Sequence, residues 1–410
     1  MINDVAVVGL GYVGFPLFET IKRNQPNDDV IGIDIDESKV KACKRKGLPV
    51  YTDYKKVSHC DIIIIAVPTP VDSTNTPDLS AVLDATENVA KNMKKGSIIV
   101  YESSLYPGCI EETLIPRIQA VSGFKAYTEF DVVYSPERVS PGDTGMKLHD
   151  MTKLIACPSR HNADKVWKIY DNAGIRTFVI SDTPNAYQIA EMSKLFENIQ
   201  RDVNIALMNE FSQICSKYYD FNFRDVLIAA ETKENFALFH PCIFGGHCIP
   251  VDPHYMQYCL KRIGTVSKMI QTARSINEEY IESIADAIME KIDNDTKKIA
   301  VIGLSYKPNV ADTRNSGAYR ILNILKDTYK NIEYVAFDPY VFDSEHQNSF
   351  EDCQDADIVI LATPHSVFFT NEYDFASGWN YERIIMFDLA SALLYRPEFK
   401  GVNFKEYINF

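Results

Sequence analysis

The chain lacks any CxxC pair among its nine cysteines, any apolar run longer than residues 62–67, and any excess of basic residues. Without CxxC, neither a zinc knuckle nor a thioredoxin-type redox site is expected, and no metal site is indicated. The thiols, odd in number and scattered, read as small buried hydrophobes of a reducing compartment. A membrane span needs roughly 18 apolar residues, far more than any run here. With 42 Lys and Arg against 56 Asp and Glu, the net charge of −14 speaks against a nucleic-acid or anionic-membrane binder. A local basic pocket for phosphates is still compatible with it. Residues 1–14 show no basic segment before their apolar stretch, so no leader peptide and a cytoplasmic location are expected. There is no low-complexity tract. What is present is a globular composition, 46% hydrophobic and 24% charged, over 410 residues, enough for two or three domains.

Short β-branched runs alternate with helical stretches in the first half. Residues 5–8, 30–34, 62–67, 97–101 and 132–134 predict buried parallel strands, and the turn residues after each favour a doubly wound α/β sheet. From about residue 185 to 217 the chain has neither Gly nor Pro, and Asp182, Thr183 and Pro184 supply a helix start. Such a helix spans about 45 Å, a length suited to joining domains or packing against a second copy. A further helix is predicted at about residues 267–291. Residues 298–303, 334–338, 358–363 and 384–388 then repeat the strand rhythm. Gly-Leu follows the first strand of both halves (Gly9-Leu10 and Gly303-Leu304), and an Asp closes the second (Asp34 and Asp338). The expected fold is α/β: two Rossmann-like doubly wound parallel-sheet domains, 1–184 and 293–410, joined by a helical middle, 185–292, that serves dimerisation and catalysis.

After the first strand comes Gly9-Leu10-Gly11-Tyr12-Val13-Gly14, a G-x-G-x-x-G run that opens a helix, with Asp34 twenty residues beyond Gly14. The first glycine permits the tight turn, the second lets a pyrophosphate approach the backbone, and the third lets helix and strand pack closely. The phosphates would sit at the helix N-terminus, where N–H groups and the dipole favour anions. Asp34 can accept hydrogen bonds from a ribose diol and would repel a 2′-phosphate, so NAD is expected rather than NADP. The second copy, Gly303-Leu304-Ser305-Tyr306, lacks the later glycines, and a nucleotide other than NAD is expected there.

The most loaded stretch is Phe244-Gly245-Gly246-His247-Cys248-Ile249-Pro250-Val251-Asp252-Pro253. Two glycines are expected to let the backbone fit closely around a bound ligand, and two prolines stiffen the segment after the cysteine. Cys248 would then be a thiolate nucleophile made available by a nearby cation or base, with Asp252 to orient water or a base. Against this stands a plainer reading, in which Cys248 is a buried hydrophobe in a glycine turn. A disulfide between Cys242 and Cys248 is not expected, because no disulfide framework exists elsewhere.

Together these motifs resemble the UDP-glucose/GDP-mannose dehydrogenase superfamily over nearly the whole length. The cysteine run resembles the branch acting on UDP-N-acetylhexosamines, where the UDP-glucose branch typically has Gly-Gly-Ser-Cys. Glu102-Ser103-Ser104 with Pro107-Gly108, Ser135-Pro136-Glu137-Arg138 with Pro141-Gly142, Glu191-Met192-Ser193-Lys194 with Asn198, and Lys307-Pro308-Asn309 with Asp312 and Arg314 match further motifs. The resemblance implies a four-electron oxidation of a sugar C6 alcohol to the carboxylate with two NAD⁺, UDP-GlcNAc being the first-choice substrate. It implies that Cys248 captures the aldehyde, that Lys194 and Asn198 stabilise the oxyanion, and that Glu137 and Asp252 activate water. Ser104, where the family often has Thr, would hydrogen-bond that water. Pro68, Thr69, Ser103 and Ser104 would line the cofactor beside Tyr12 and Val13. Arg138, Val139, Lys233, Asn235, Phe236, Gly245, Gly246, His247, Lys307 and Arg314 would join the catalytic groups around the UDP-sugar. A homodimer and a role in bacterial capsule or O-antigen synthesis are implied as well.

Three departures stand out: Pro141 where UDP-glucose enzymes carry a second glutamate, His240-Pro241-Cys242 before the cysteine loop, and His254 where the related branch usually has Tyr. Competing readings are the same reaction on UDP-ManNAc, UDP-GalNAc or UDP-glucose, a one-step alcohol dehydrogenase that would not need Cys248, and a catalytically silent nucleotide-sugar sensor.

Overall fold

The computed structural model describes residues 4–25, 29–138, 150–219, 221–243, 245–246, 248–341, 349–370, 373, 375, 378–394 and 396–410. The chain divides into two compact units, Met1–Glu197 with His254–Val266, and Asn198–Pro253 with Ser267–Phe410.

The first unit runs through β1 (Asp4–Val8), α1 (Gly14–Asn24), β2 (Asp29–Ile33), α2 (Glu37–Arg45), β3 (Val50–Tyr51), β4 (Ile62–Ile65), α3 (Ser80–Asn92) and β5 (Ile98–Tyr101). It continues through α4 (Ile115–Ser122), β6 (Asp131–Tyr134), β7 (Lys153–Ala156), α5 (Arg160–Asn172) and β8 (Thr177–Ile180). Strand order is β3-β2-β1-β4-β5-β6-β7-β8, so the winding reverses between β1 and β4, the switch point at which such sheets hold ligands. Four successive isoleucines make β4, none more than 1% exposed, because both faces of a central parallel strand are covered. Each contributes roughly 1.5–3 kcal/mol of burial. Helix α1 sets Leu17, Phe18 and Ile21 into one core with Val5, Val7 and Val30. The expected parallel sheet is corrected at one place: β6 and β7 run antiparallel, with Tyr134 opposite Ala156. Strands β3, β7 and β8 are additions to the sequence expectation: β3 has two residues, β7 opens on a lysine, and β8 is only partly buried.

Helix α6 (Ala186–Tyr218) begins in the first unit and passes into the second at Asn198. It is followed by α7 (Phe223–Glu231), α8 (Asp252–Arg262), α9 (Lys268–Met289), β9 (Lys298–Ile302), α10 (Gly317–Thr328), β10 (Glu333–Phe337), β11 (Ile358–Leu361), β12 (Ile385–Asp388) and β13 (Glu406–Asn409). The five strands form a parallel sheet in the order β10-β9-β11-β12-β13. Alternate residues of β11 serve its two faces: Ile358 and Ile360 join Tyr280, Ile284 and Ile288 of α9, while Val359 and Leu361 join Phe350, Phe368, Phe375 and Trp379. Ser267 caps α9 by accepting the N–H of Ile270 at 3.4 Å. Among the described residues, no helix is long and apolar enough to cross a membrane.

Candidate active site

In the first unit, the turn between β1 and α1 gives each fingerprint glycine a separate job. Gly9 has φ +86°, and a Cβ there would meet the Ala66 carbonyl oxygen at 2.7 Å. At Gly14 a Cβ would lie 1.8 Å from the Gly9 carbonyl oxygen. At Gly11 it would meet nothing within 4 Å. The turn itself thus requires the first and third glycines, whereas the second faces open space with room for a pyrophosphate. Val13 supplies no side-chain cap to α1; Phe15 donates its N–H to the Gly11 carbonyl at 3.1 Å and Pro16 has none, so the first turn offers an anion the Gly14 N–H. Asp34, 7% exposed, accepts the Leu10 N–H at 2.7 Å through Oδ2 and the Asp36 N–H at 2.9 Å through Oδ1. A carboxylate has about four lone-pair sites, so each oxygen retains one for a ribose hydroxyl. Tyr12 is exposed. Two loops at the same sheet edge are laced together: Ser103 Oγ donates to the Val67 carbonyl at 2.6 Å, and Thr69 Oγ1 to the Ser104 carbonyl at 2.9 Å. Tyr255 donates its hydroxyl to the Thr69 carbonyl at 2.9 Å, next to Pro68. These residues fit NAD.

Glu137 follows β6 in the same unit and is held at both carboxylate oxygens. Oε1 accepts the Arg138 N–H at 2.7 Å, and Oε2 accepts Lys153 Nζ at 3.1 Å. Lys153, on β7, is 1% exposed and also donates to Glu102 Oε2 at 2.6 Å, while Tyr170 donates to Glu102 Oε1. Burial pushes the Glu102 carboxyl up, more than the Lys153 ammonium offsets. Burial works to neutralise Lys153 too, but the two carboxylates around it outweigh that and hold it protonated. The Arg138 guanidinium is taken up by Glu197, at 2.7 Å, and by the Thr152 carbonyl, at 2.6 Å. On α6, Lys194 is 4% exposed, and Glu191 one turn earlier accepts the N–H groups of Gly108 at 2.6 Å and Ile110 at 3.1 Å. Burial raises the Glu191 carboxyl to about 7 against those two donors.

The second unit builds the cysteine loop. Val251 and Asp252 both donate their N–H groups to the Cys248 carbonyl, at 3.1 and 2.8 Å. Asp252 then starts α8, fully buried, and its Oδ2 accepts the Asn198 side-chain amide. Cys248 is half-buried, and Cys242 and Cys248 are thiols rather than partners in a disulfide. Close packing within the chain itself requires the glycine pair. A Cβ at Gly245 would lie 2.3 Å from the Asn315 carbonyl oxygen, and one at Gly246, φ +83°, would lie 3.0 Å from the Tyr306 ring. Gly246 also donates to the Arg314 carbonyl at 2.8 Å and accepts from the Asn315 amide at 2.8 Å. The glycines therefore seat the loop against the chain's own 314–315 turn. Sequence reasoning missed Asn209, whose side chain holds the Cys242 backbone at both ends: Oδ1 accepts Cys242 N–H at 2.9 Å and Nδ2 donates to its carbonyl at 3.3 Å. Behind it, Asn277, Asp202 and Arg274 form a buried hydrogen-bonded chain.

Of the remaining residues, Arg314 pairs with Asp312 at 2.6 Å, and Lys307 lies over the Tyr306 ring at 6.0 Å. Lys233 and Asn235 are exposed, and Phe236 packs against the cluster formed by Met208, Cys215, Phe223 and Leu227. Val139 and His247 lie outside the described residues, as do Phe244 and Pro141. In the second sheet, Asp338 takes the place that Asp34 has in the first, accepting Leu304 N–H at 2.8 Å. It also accepts from Ser305 and from His365 Nε2 at 2.9 Å, and His365 Nδ1 accepts from Asn309 N–H at 2.8 Å. Burial raises the Asp338 carboxyl, but these donors and Tyr340 N–H outweigh it and leave it below the ordinary range. These donors fill Oδ2, while Oδ1 accepts only the Tyr340 N–H at 2.9 Å, so Asp338 offers a ribose diol one acceptor oxygen where Asp34 offers two, in keeping with the missing glycines.

One Rossmann domain fitted to NAD, a second without the later glycines, and a half-buried loop cysteine whose carbonyl is bonded by the Asp252 N–H define an NAD-dependent oxidoreductase of two nucleotide-binding domains. The chain belongs to the UDP-glucose/GDP-mannose dehydrogenase family: residues 3–54 and 43–174 match its NAD binding domain, 188–279 its central domain, and 300–393 its UDP binding domain. It is thus an NAD-dependent nucleotide-sugar dehydrogenase. It is 33% identical to Protein CapL of Staphylococcus aureus over 92% of this chain and 93% of that protein. Identity is also 33% to a UDP-N-acetyl-D-glucosamine 6-dehydrogenase of Pseudomonas aeruginosa, over 89% of this chain and 91% of that one. The solved structure of a UDP-D-ManNAc dehydrogenase from Pyrococcus horikoshii superimposes with a TM-score of 0.83 at 29% identity, covering 99% of this chain and 98% of that one.

Proposed function

We propose that the protein oxidises the C6 alcohol of a UDP-N-acetylhexosamine, UDP-GlcNAc first, to the uronic acid for bacterial surface polysaccharide, through a thiohemiacetal and a thioester on Cys248. The observation that carries this reading is the local frame of the thiol: Asp252 is bonded through its N–H to the Cys248 carbonyl and through its carboxylate to Asn198. NAD⁺, when bound, accepts a hydride in each of the two oxidations. In the first, a base or ordered water removes the C6 hydroxyl proton as hydride leaves. The Cys248 thiolate then adds to the aldehyde carbon, and Lys194 and Asn198 stabilise the oxyanion that forms. Loss of a second hydride gives the thioester. Water activated by Glu137 or Asp252, with Ser104 as its hydrogen-bond partner, displaces the thiolate and frees the acid. One alcohol and one water become one acid, with two NAD⁺ reduced and two protons released.

In this reading residues 1–184 hold NAD, 185–292 form the helical core, and 293–410 hold the nucleotide-sugar, with Arg138, Lys233, Asn235, Phe236, Lys307 and Arg314 serving the substrate. Likeness to the Pyrococcus structure favours UDP-ManNAc as the second reading. An NADH assay across the UDP forms of GlcNAc, ManNAc, GalNAc and glucose decides: highest kcat/KM on GlcNAc supports the proposal, and preference for glucose overturns it. The active form is a homodimer packed along α6. Ile189, Met192, Phe196, Leu207 and Phe211 are each more than 40% exposed and, at about 100° per residue, fall on one stripe of that helix.

A further inference from the structure

We infer that Lys153 is a positioning residue for the reaction: its buried ammonium, braced by Glu102 and Tyr170, fixes Glu137 as an oriented anion. The inference rests on the reading that Glu137 activates water. Lys153 is 1% exposed and opens the buried strand Lys-Leu-Ile-Ala, where an unpaired ammonium would be untenable. Its Nζ reaches Glu137 Oε2 at 3.1 Å and Glu102 Oε2 at 2.6 Å. Glu102 is in turn fixed by the Tyr170 hydroxyl, and its backbone carbonyl accepts the Glu137 N–H at 3.1 Å. Glu137 Oε1 is held by the Arg138 N–H at 2.7 Å. Both oxygens of Glu137 therefore have a defined donor, and the carboxylate cannot rotate without breaking one. Among the described residues, the charged and titratable groups facing it include Lys153 from β7, Glu102 from the end of β5 and Tyr170 from α5; the guanidinium of its neighbour Arg138 is directed to Glu197. Two carboxylates share one cation, so removing that cation both frees the Glu137 side chain and favours its protonation.

The test is steady-state kinetics of the full-length enzyme against pH. Lys153→Met is expected to lower kcat by about tenfold or more, the scale of a misplaced catalytic group. The KM for NAD⁺ should stay within about twofold, and the acid limb of the kcat profile should move up by about one pH unit, because an opposite charge close to the carboxylate is gone. Lys153→Arg, which keeps the charge, should return the limb toward its original position. A folded Lys153→Met enzyme with the parent kcat and acid limb overturns the inference. If Lys153→Met does not fold, Glu102→Gln serves instead. It leaves the cation to Glu137 alone and should move the limb down; an unmoved limb overturns the inference. Glu137→Gln separates the two claims. Parent-like turnover there removes the reading of Glu137 and the inference with it, whereas an impaired Glu137→Gln beside a parent-like Lys153→Met removes the inference alone.

Discussion

Alanine at Gly11 and at Gly14 should fail for opposite reasons. At Gly14 the new Cβ would lie 1.8 Å from the Gly9 carbonyl oxygen, so the turn between β1 and α1 must shift. Overpacking of that kind costs about 1–3 kcal/mol or more, and Gly14→Ala should melt earlier than the parent. At Gly11 the Cβ meets nothing, and no unusual backbone angle opposes it, so Gly11→Ala should keep the parent's stability within about 0.5 kcal/mol. The methyl then stands in the space a pyrophosphate needs in order to reach the start of α1. Losing one charge-assisted hydrogen bond costs about 1.5–3 kcal/mol, or about 10- to 150-fold in Kd. Calorimetric titration with NAD⁺, with urea denaturation of the unliganded proteins, measures both quantities. A folded Gly11→Ala protein that binds NAD⁺ as the parent does would refute the assignment of this turn to the cofactor.

Asp34→Ala removes acceptors for the ribose diol and should weaken NAD⁺ by about 1–3 kcal/mol, and a titration with no loss would remove that contact. Glu191 has a folded pKa of about 7 against an ordinary value of 4.5, so its stabilisation is complete below the lower value and is lost as pH rises through the upper one. The loss is on the order of a few kcal/mol. Glu191→Gln lacks it, so the stability difference between parent and variant should change between pH 5 and pH 7.5 in urea denaturation, and a constant difference contradicts the assignment. Phe196→Glu puts a charge into the exposed stripe of α6 and should halve the mass seen by light scattering, whereas a monomeric parent would refute the dimer.

The cofactor half was readable because its signals are local. Three glycines, a strand before and an Asp at the end of the next strand lie within about thirty residues, and a parallel sheet forces them to one edge. The nine strands read from sequence all appear, because buried parallel strands are long enough apolar runs to register. The features that stayed hidden depend on partners distant in sequence. Lys153 looks like an ordinary surface residue until Glu102, 51 positions earlier, folds onto it. Asn209 meets Cys242 across 33 positions and Asn277 across 68. The glycine pair before Cys248 was readable as a place of close approach, but not what approaches, because the 314–315 turn lies about 70 residues further on. Asp338 and Asp34 look alike in sequence, and the donors Ser305 and His365, which fill one oxygen of Asp338, are what distinguish them.

In the proposed reaction the sulfur of Cys248 carries the half-oxidised sugar. Acid quenching of the enzyme during turnover with UDP-GlcNAc and NAD⁺, with peptide mass spectrometry of the quenched protein, tests this directly. A sugar-derived acyl adduct on the Cys248 peptide is predicted; an unmodified Cys248 peptide together with aldehyde accumulating in solution would contradict it.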